Sequence, residues 1–165
     1  MPLPPPSVLP AGWPLSHPRV YVAPRVFAPL TIDGDLSKSA WQKASWSEAF
    51  VDIAERTAAD AAPNPRCSTR FKCLWDDECL YVAALIHHDR TTPIVATYTE
   101  RNSPIFHRDS DFEVFVDPSG SCHHYKELEL NALNTVWNLM LNKPHADGGA
   151  EHGGRVAAPC DPLRY

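Results

Sequence analysis

The sequence predicts an all-β fold: an antiparallel β-sandwich of immunoglobulin-like or jelly-roll-like type, with one short helix near its N-terminal end. Three observations carry that prediction. From residue 69 onward the apolar residues recur with a period of two, which places alternate side chains on opposite faces of a strand. Clusters of turn residues, Asp76-Asp77-Glu78 and Pro118-Ser119-Gly120, separate these runs at hairpin intervals. No long stretch has the 3.6-residue period of an amphipathic helix. The chain has 165 residues, 44% of them apolar, which is enough for one domain with a core of its own.

Nine of the 17 prolines fall within the first 30 residues, so residues 1–29 are expected to form a Pro-rich, disordered leader of extended character. The folded unit is expected over residues 30–145. It begins with Leu30-Thr31-Ile32 and the turn Asp33-Gly34-Asp35. Ser37 is placed to cap a helix over Lys38–Ala44 that turns Ala40, Trp41 and Ala44 to one side. In Thr69–Trp75, Phe71, Cys73 and Trp75 alternate with Arg70, Lys72 and Leu74. Cys79–His87 is almost wholly apolar and reads as the second strand of a hairpin, buried on both faces. Asp111–Asp117 sets Phe112, Val114 and Val116 against Asp111, Glu113 and Phe115. His124–Asn131 and Thr135–Leu141 complete the set. Residues 146–165 hold four of the seven glycines and read as a Gly-rich tail.

Composition excludes several classes of function. A net charge of −5 and a pI near 5.9, with no basic stripe, speak against nucleic acid as a partner. No apolar run approaches the ~18 residues of a membrane span, and the N-terminus has no pattern of a secretory signal. Cys67, Cys73, Cys79, Cys122 and Cys160 are an odd count with no C-x-x-C pair. They read as free thiols in a cytoplasmic or organellar chain, without a zinc ribbon or thiol redox centre. The G-x-S-x-G elbow, the P-loop and G-x-G-x-x-G are absent.

Glu127, Glu129 and Asn131 share one strand face by alternation, and Glu113 joins them if its strand pairs with theirs. Carboxylates and amides in a row suit a hydroxyl-rich ligand, and Tyr125, Trp137, Phe106 and His107 are the aromatic planes nearby in sequence. The same pattern also fits a solvated sheet face. A glycosidase would need two such carboxyls either ~5–5.5 Å or ~6.5–9.5 Å apart, a spacing that alternation on one strand does not decide. Asp109-Ser110-Asp111 and Asp33/Asp35 are loop clusters of the kind calcium takes, though they read first as turn residues and caps. No other cofactor is expected. His87-His88 and His123-His124 point to opposite faces, so neither pair chelates a metal by itself.

Four runs taken together resemble carbohydrate-binding module family nine, in its family-nine-like branch: Leu30–Asp35 continuing to Trp41, Leu74–Asp77 continuing to Val82, Asp111–Pro118, and Glu127–Thr135. The resemblance covers roughly residues 30–149. It implies a β-sandwich and a non-catalytic sugar-binding module serving carbohydrate catabolism, with an oligo- or polysaccharide as partner. Glu113 matches the family's strand glutamate. The place of the first sugar-clamping tryptophan is held by Phe106 or His107, and that of a sugar-contacting arginine falls near Glu129. The second clamping tryptophan belongs to a C-terminal third that the pattern would place beyond Tyr165. A sandwich truncated in this way is expected to leave strand edges free for self-association; the alternatives to a sugar-binding module are a glycosidase-like or metal-dependent sugar-acting enzyme and a protein-interaction β-sandwich.

Overall fold

Asp76 closes the first hairpin. Its carboxylate accepts hydrogen bonds from the Glu78 and Cys79 amides at 2.8 and 2.7 Å and from the Tyr81 hydroxyl at 2.6 Å. The strands it joins are β1 (Ser68–Trp75) and β2 (Leu80–His87), antiparallel with Leu74 opposite Tyr81. Three further strands, β3 (Asp111–Val116), β4 (Tyr125–Asn131) and β5 (Val136–Leu141), form a second antiparallel sheet in the order β3-β4-β5. The computed structural model describes residues 19–51, 67–88, 90–91 and 93–149, and within them the chain is all-β in two sheets.

Asp117 plays the part of Asp76 in the second sheet, accepting from the Ser119, Gly120 and Cys122 amides at 3.0, 3.0 and 2.6 Å. Short acidic side chains that satisfy their own turn amides are what hold both hairpins in register. Asn131 does the same at the β4–β5 connection, accepting from the Leu133 and Thr135 amides at 3.0 and 2.8 Å.

One core lies on the Leu74 face of the first sheet, where Leu74 and Tyr81 bury Val26, Trp41 and Ala44. Lys72 is on the same face, 6% exposed. Its Nζ donates to the Trp41 carbonyl at 2.9 Å and lies 4.7 Å from the centre of the Trp46 ring. A second buried group, Ile105, Val136, Trp137 and Leu141, belongs to the other sheet. Between the sheets runs a relay of rings: Tyr21 to Phe71 at 4.8 Å, Phe71 to Phe50 at 6.1 Å, and Phe50 to Phe112 at 6.2 Å.

Three sequence expectations need correction. The helix over Lys38–Ala44 is only a 3-10 turn, Trp41–Lys43, and no side chain caps it. Ser37 instead gives its amide to Asp35, and Lys38 reaches back to the Thr31 carbonyl and Asp33. A segment this short does not recover the cost of nucleating an α-helix. Next, β2 is not buried on both faces: Leu80, Leu85 and Ile86 are among the exposed apolar residues. Among the described residues it pairs with β1 alone, in a two-stranded sheet. Finally, residues 19–28 pack onto the fold, although the leader was expected to extend to residue 29. Val26 donates to the Trp75 carbonyl at 2.8 Å, and Trp75 donates to the Pro24 carbonyl at 3.1 Å. Together with Ser47 and Phe50, which donate to the Phe71 and Thr69 carbonyls, this segment covers the β1 edge opposite β2. Residues 1–18 and 150–165, which hold most of the expected leader and tail, lie outside the described residues.

Candidate binding face

The register of the second sheet sets Glu113 on β3 opposite Glu129 on β4, and Glu129 opposite Trp137 on β5. One residue from each strand therefore forms a row across the sheet. Asp111 opposite Asn131, and Phe115 opposite Glu127, flank it on the same face. Tyr125 ends the β4 row, its ring 6.1 Å from that of Phe115.

Two loops cover this face. The turn Ile105–His107 brings the Phe106 ring edge-on to Trp137 at 4.5 Å, with the His107 ring 4.3 Å from Phe106. At the other end, the turn His145–Asp147 sets His145 Nε2 4.0 Å from Glu127 Oε2. Gly149 closes that turn tightly, because a Cβ there would run into the Lys143 carbonyl oxygen. Under these loops the carboxylate side of β4 is buried more deeply than its leucine side. Glu127 and Glu129 are buried, while Leu128 and Leu130 are only half-buried.

Eight residues were expected to make the site. Glu113, Glu127, Glu129, Trp137 and Tyr125 share the face, with Phe106 and His107 at its margin. Glu113 and His107 are exposed, and Phe106 and Tyr125 half-buried. Trp137, 7% exposed, is covered by Phe106 and does not offer a free plane. Asn131 is consumed by the fold: its Nδ2 donates to the Tyr98 carbonyl at 3.0 Å and to Asp109 Oδ2 at 2.7 Å, and its Oδ1 holds the β4–β5 turn. The same contacts engage Asp109, which also accepts from the Thr97 and Tyr98 amides. The expected loop cluster of Asp109 and Asp111 is thereby divided.

Asp111, expected in a loop cluster with Asp109, instead lies on the sheet face beside Glu113. Its carboxylate joins Glu113 and Glu129, with one oxygen of each within 4.8 Å of the others. The signal was present, since alternation already put Asp111 on the face of Glu113. Asp111 Oδ2, Glu127 Oε2 and Glu129 Oε2 are buried without a hydrogen-bond partner. Two unit charges within 4.8 Å of each other repel by at least about 3 kcal/mol at an effective dielectric near 20, and the acids respond to that cost. Burial, reinforced by a hydrogen bond with Glu127 and by the charges of Glu113 and Asp111, pushes Glu129 up to about 9. Burial also raises Glu113, helped by repulsion from Asp111 and Glu127, and raises Asp111, helped by Asp109.

Two antiparallel sheets, with acids and aromatics gathered on one face of the second, give an all-β architecture that fits a β-sandwich carbohydrate-binding module. The sequence matches the carbohydrate family 9 binding domain-like family over residues 32–149, and the chain belongs to that family. No curated protein and no solved structure matches it. The family assignment points to carbohydrate binding. No helix among the described residues is long and apolar enough to cross a membrane.

Proposed function

We propose that the chain is a non-catalytic carbohydrate-binding module serving carbohydrate catabolism, and that the Glu113–Glu129–Trp137 row is the centre of its sugar site. The observation that carries this reading is the row itself, which belongs to a chain of a carbohydrate-binding family. Glu113 is the exposed carboxylate of the row, placed to accept hydrogen bonds from sugar hydroxyls. Phe115, 54% exposed, and the edge of Phe106 offer apolar surface to the C–H face of a sugar ring.

The enzyme alternative finds less support. A glycosidase needs one carboxyl kept protonated beside another kept ionised, so their environments must push them apart. Asp111, Glu113 and Glu129 are all pushed the same way, upward. The clefts between Thr31 and Ala84 and beside Val26 lie in the other sheet and the segments packed on it.

Calorimetry and affinity electrophoresis against neutral and acidic glycans test the proposal. Glu113→Gln and Phe106→Ala are each expected to weaken binding by at least about tenfold, the cost of one charge-assisted hydrogen bond or one ring contact. No reducing ends should be released. Failure to bind any glycan overturns the reading, and undiminished binding in both variants moves the site elsewhere.

A further inference from the structure

Asp111, Glu113 and Glu129 form a tight group built by two neighbouring strands. Glu113 and Glu129 face each other across the β3–β4 ladder, and Asp111 is the next residue along the same face. One oxygen of each lies within 4.8 Å of the other two. Glu129 is 1% exposed, and neither its Oε2 nor Asp111 Oδ2 has a hydrogen-bond partner. Buried polar atoms in native proteins are nearly always paired, so acceptor oxygens left open in a group like this one call for an ion or donor that completes them.

We propose that Asp111, Glu113 and Glu129 are the protein ligands of a divalent cation of the calcium type. Calcium–oxygen distances of about 2.3–2.6 Å separate opposite ligands by about 4.6–5.2 Å. The three oxygens all lie within 4.8 Å of one another, close enough for one ion at such distances to touch all three. The donors are hard oxygens only. Zinc would call for histidine or cysteine, and none belongs to the group. Three carboxylates supply three to six of the six to eight oxygens that calcium takes. The remaining positions open on the exposed side of Glu113, to water or to a sugar hydroxyl; only the sugar hydroxyl rests on the carbohydrate reading. A bound cation also removes the mutual repulsion of the acids, which accounts for their being gathered under two loops.

Trp137, opposite Glu129 in the ladder, supplies the probe, because an indole that close to the site sensitises terbium luminescence. The full-length chain, stripped with chelator, is titrated with terbium under tryptophan excitation and with calcium by calorimetry. One saturable equivalent is expected, with terbium emission displaced by excess calcium and the thermal midpoint raised by calcium. Glu129→Gln and Asp111→Asn should each weaken calcium by at least about tenfold. Asp77→Asn, an acid paired with Arg25 on the first hairpin, should leave it unchanged. Circular dichroism checks the fold of each variant, and Asp111→Asn, at a half-buried position, decides if Glu129→Gln fails to fold. No saturable calcium binding, wild-type affinity in Asp111→Asn, or loss of binding in Asp77→Asn overturns the proposal. The titration contains no glycan, so a chain that binds calcium and no sugar supports the cation site while overturning the carbohydrate reading.

Discussion

The two sheets treat buried charge in opposite ways. In the first, the buried Lys72 ammonium is engaged by the Trp41 carbonyl and the Trp46 ring. In the second, buried Glu127 and Glu129 and half-buried Asp111 each keep a buried oxygen unpaired. Satisfied buried charge is architecture, since the partners are part of the same fold. Acids that are buried, crowded and unsatisfied lower stability, and folds keep such groups where a ligand completes them. The difference separates a sheet that holds the molecule together from one that presents a site.

The largest test of that contrast is in the apolar positions. Leu74 is fully buried between Val26, Trp41 and Tyr81, and Leu74→Ala is expected to cost about 2–5 kcal/mol in denaturant unfolding. Leu128 has the same chemistry in the second sheet but is only half-buried on the face away from the acids, so Leu128→Ala should cost under about 2 kcal/mol. Equal losses would break the comparison.

The charged positions should differ in size. Lys72→Ala removes its hydrogen bond to the Trp41 carbonyl, which keeps the Ala44 amide, and its contact with the Trp46 ring, and is expected to destabilise by about 1–3 kcal/mol. Glu129→Gln keeps the shape of an acid that is protonated in the fold, so in cation-free buffer near pH 6 it should be almost silent. A loss at Glu129 as large as that at Lys72 would make the carboxyl structural and remove the distinction between the sheets.

Acid and alkali sharpen the same point. The folded chain holds the Glu129 proton up to about 9, whereas an unfolded chain releases it near 4.5. Between those values the unfolded state binds fewer protons, so in the absence of cation this group makes stability fall as pH rises through the window. Asp76 acts in reverse. Hydrogen bonds, first from Tyr81, hold it below its ordinary 3.8, so its contribution is present above that value and fades as pH falls below it. Midpoints measured from pH 3 to pH 9 should lose the alkaline decline in Glu129→Gln and part of the acid decline in Asp76→Asn. A Glu129→Gln profile parallel to wild type refutes the assignment.

The strands were legible because their signals are local. Alternation and Asp-led turns place all five to within a residue at each end. The acidic row was legible as a face, since Glu127 and Glu129 alternate with Leu128 and Leu130, but its burial was not. That burial comes from the Ile105–His107 and His145–Asp147 turns, which lie far along the chain from one another. Asn131 read as a ligand group, yet Tyr98 and Asp109 claim it from more than 20 residues away. The segment packed on β1 was hidden by its own chemistry. Proline has no N–H to mark a ladder position, and Pro24 enters the pairing through its carbonyl alone.

That segment carries the smallest of the expected effects. Arg25 Nη2 donates to Asp77 Oδ1 at 2.6 Å, and its guanidinium lies 5.2 Å from the centre of the Trp75 ring and 5.4 Å from that of Phe27. The pair is open to solvent, with side chains 40% and 77% exposed, and exposed pairs contribute about 0–1 kcal/mol. Arg25→Ala should therefore cost less than about 1 kcal/mol, and salt should shrink the difference further. Val26, buried against Trp41 and Leu74, holds the same segment by packing, and Val26→Ala should cost about 1–3 kcal/mol regardless of salt. Denaturant midpoints at low and high ionic strength decide between the two, and amide exchange at Val26 and Trp75 locates the effect. If Arg25→Ala costs more than Val26→Ala, the strap is held on β1 by charge, and the first sheet is no longer the one built on burial.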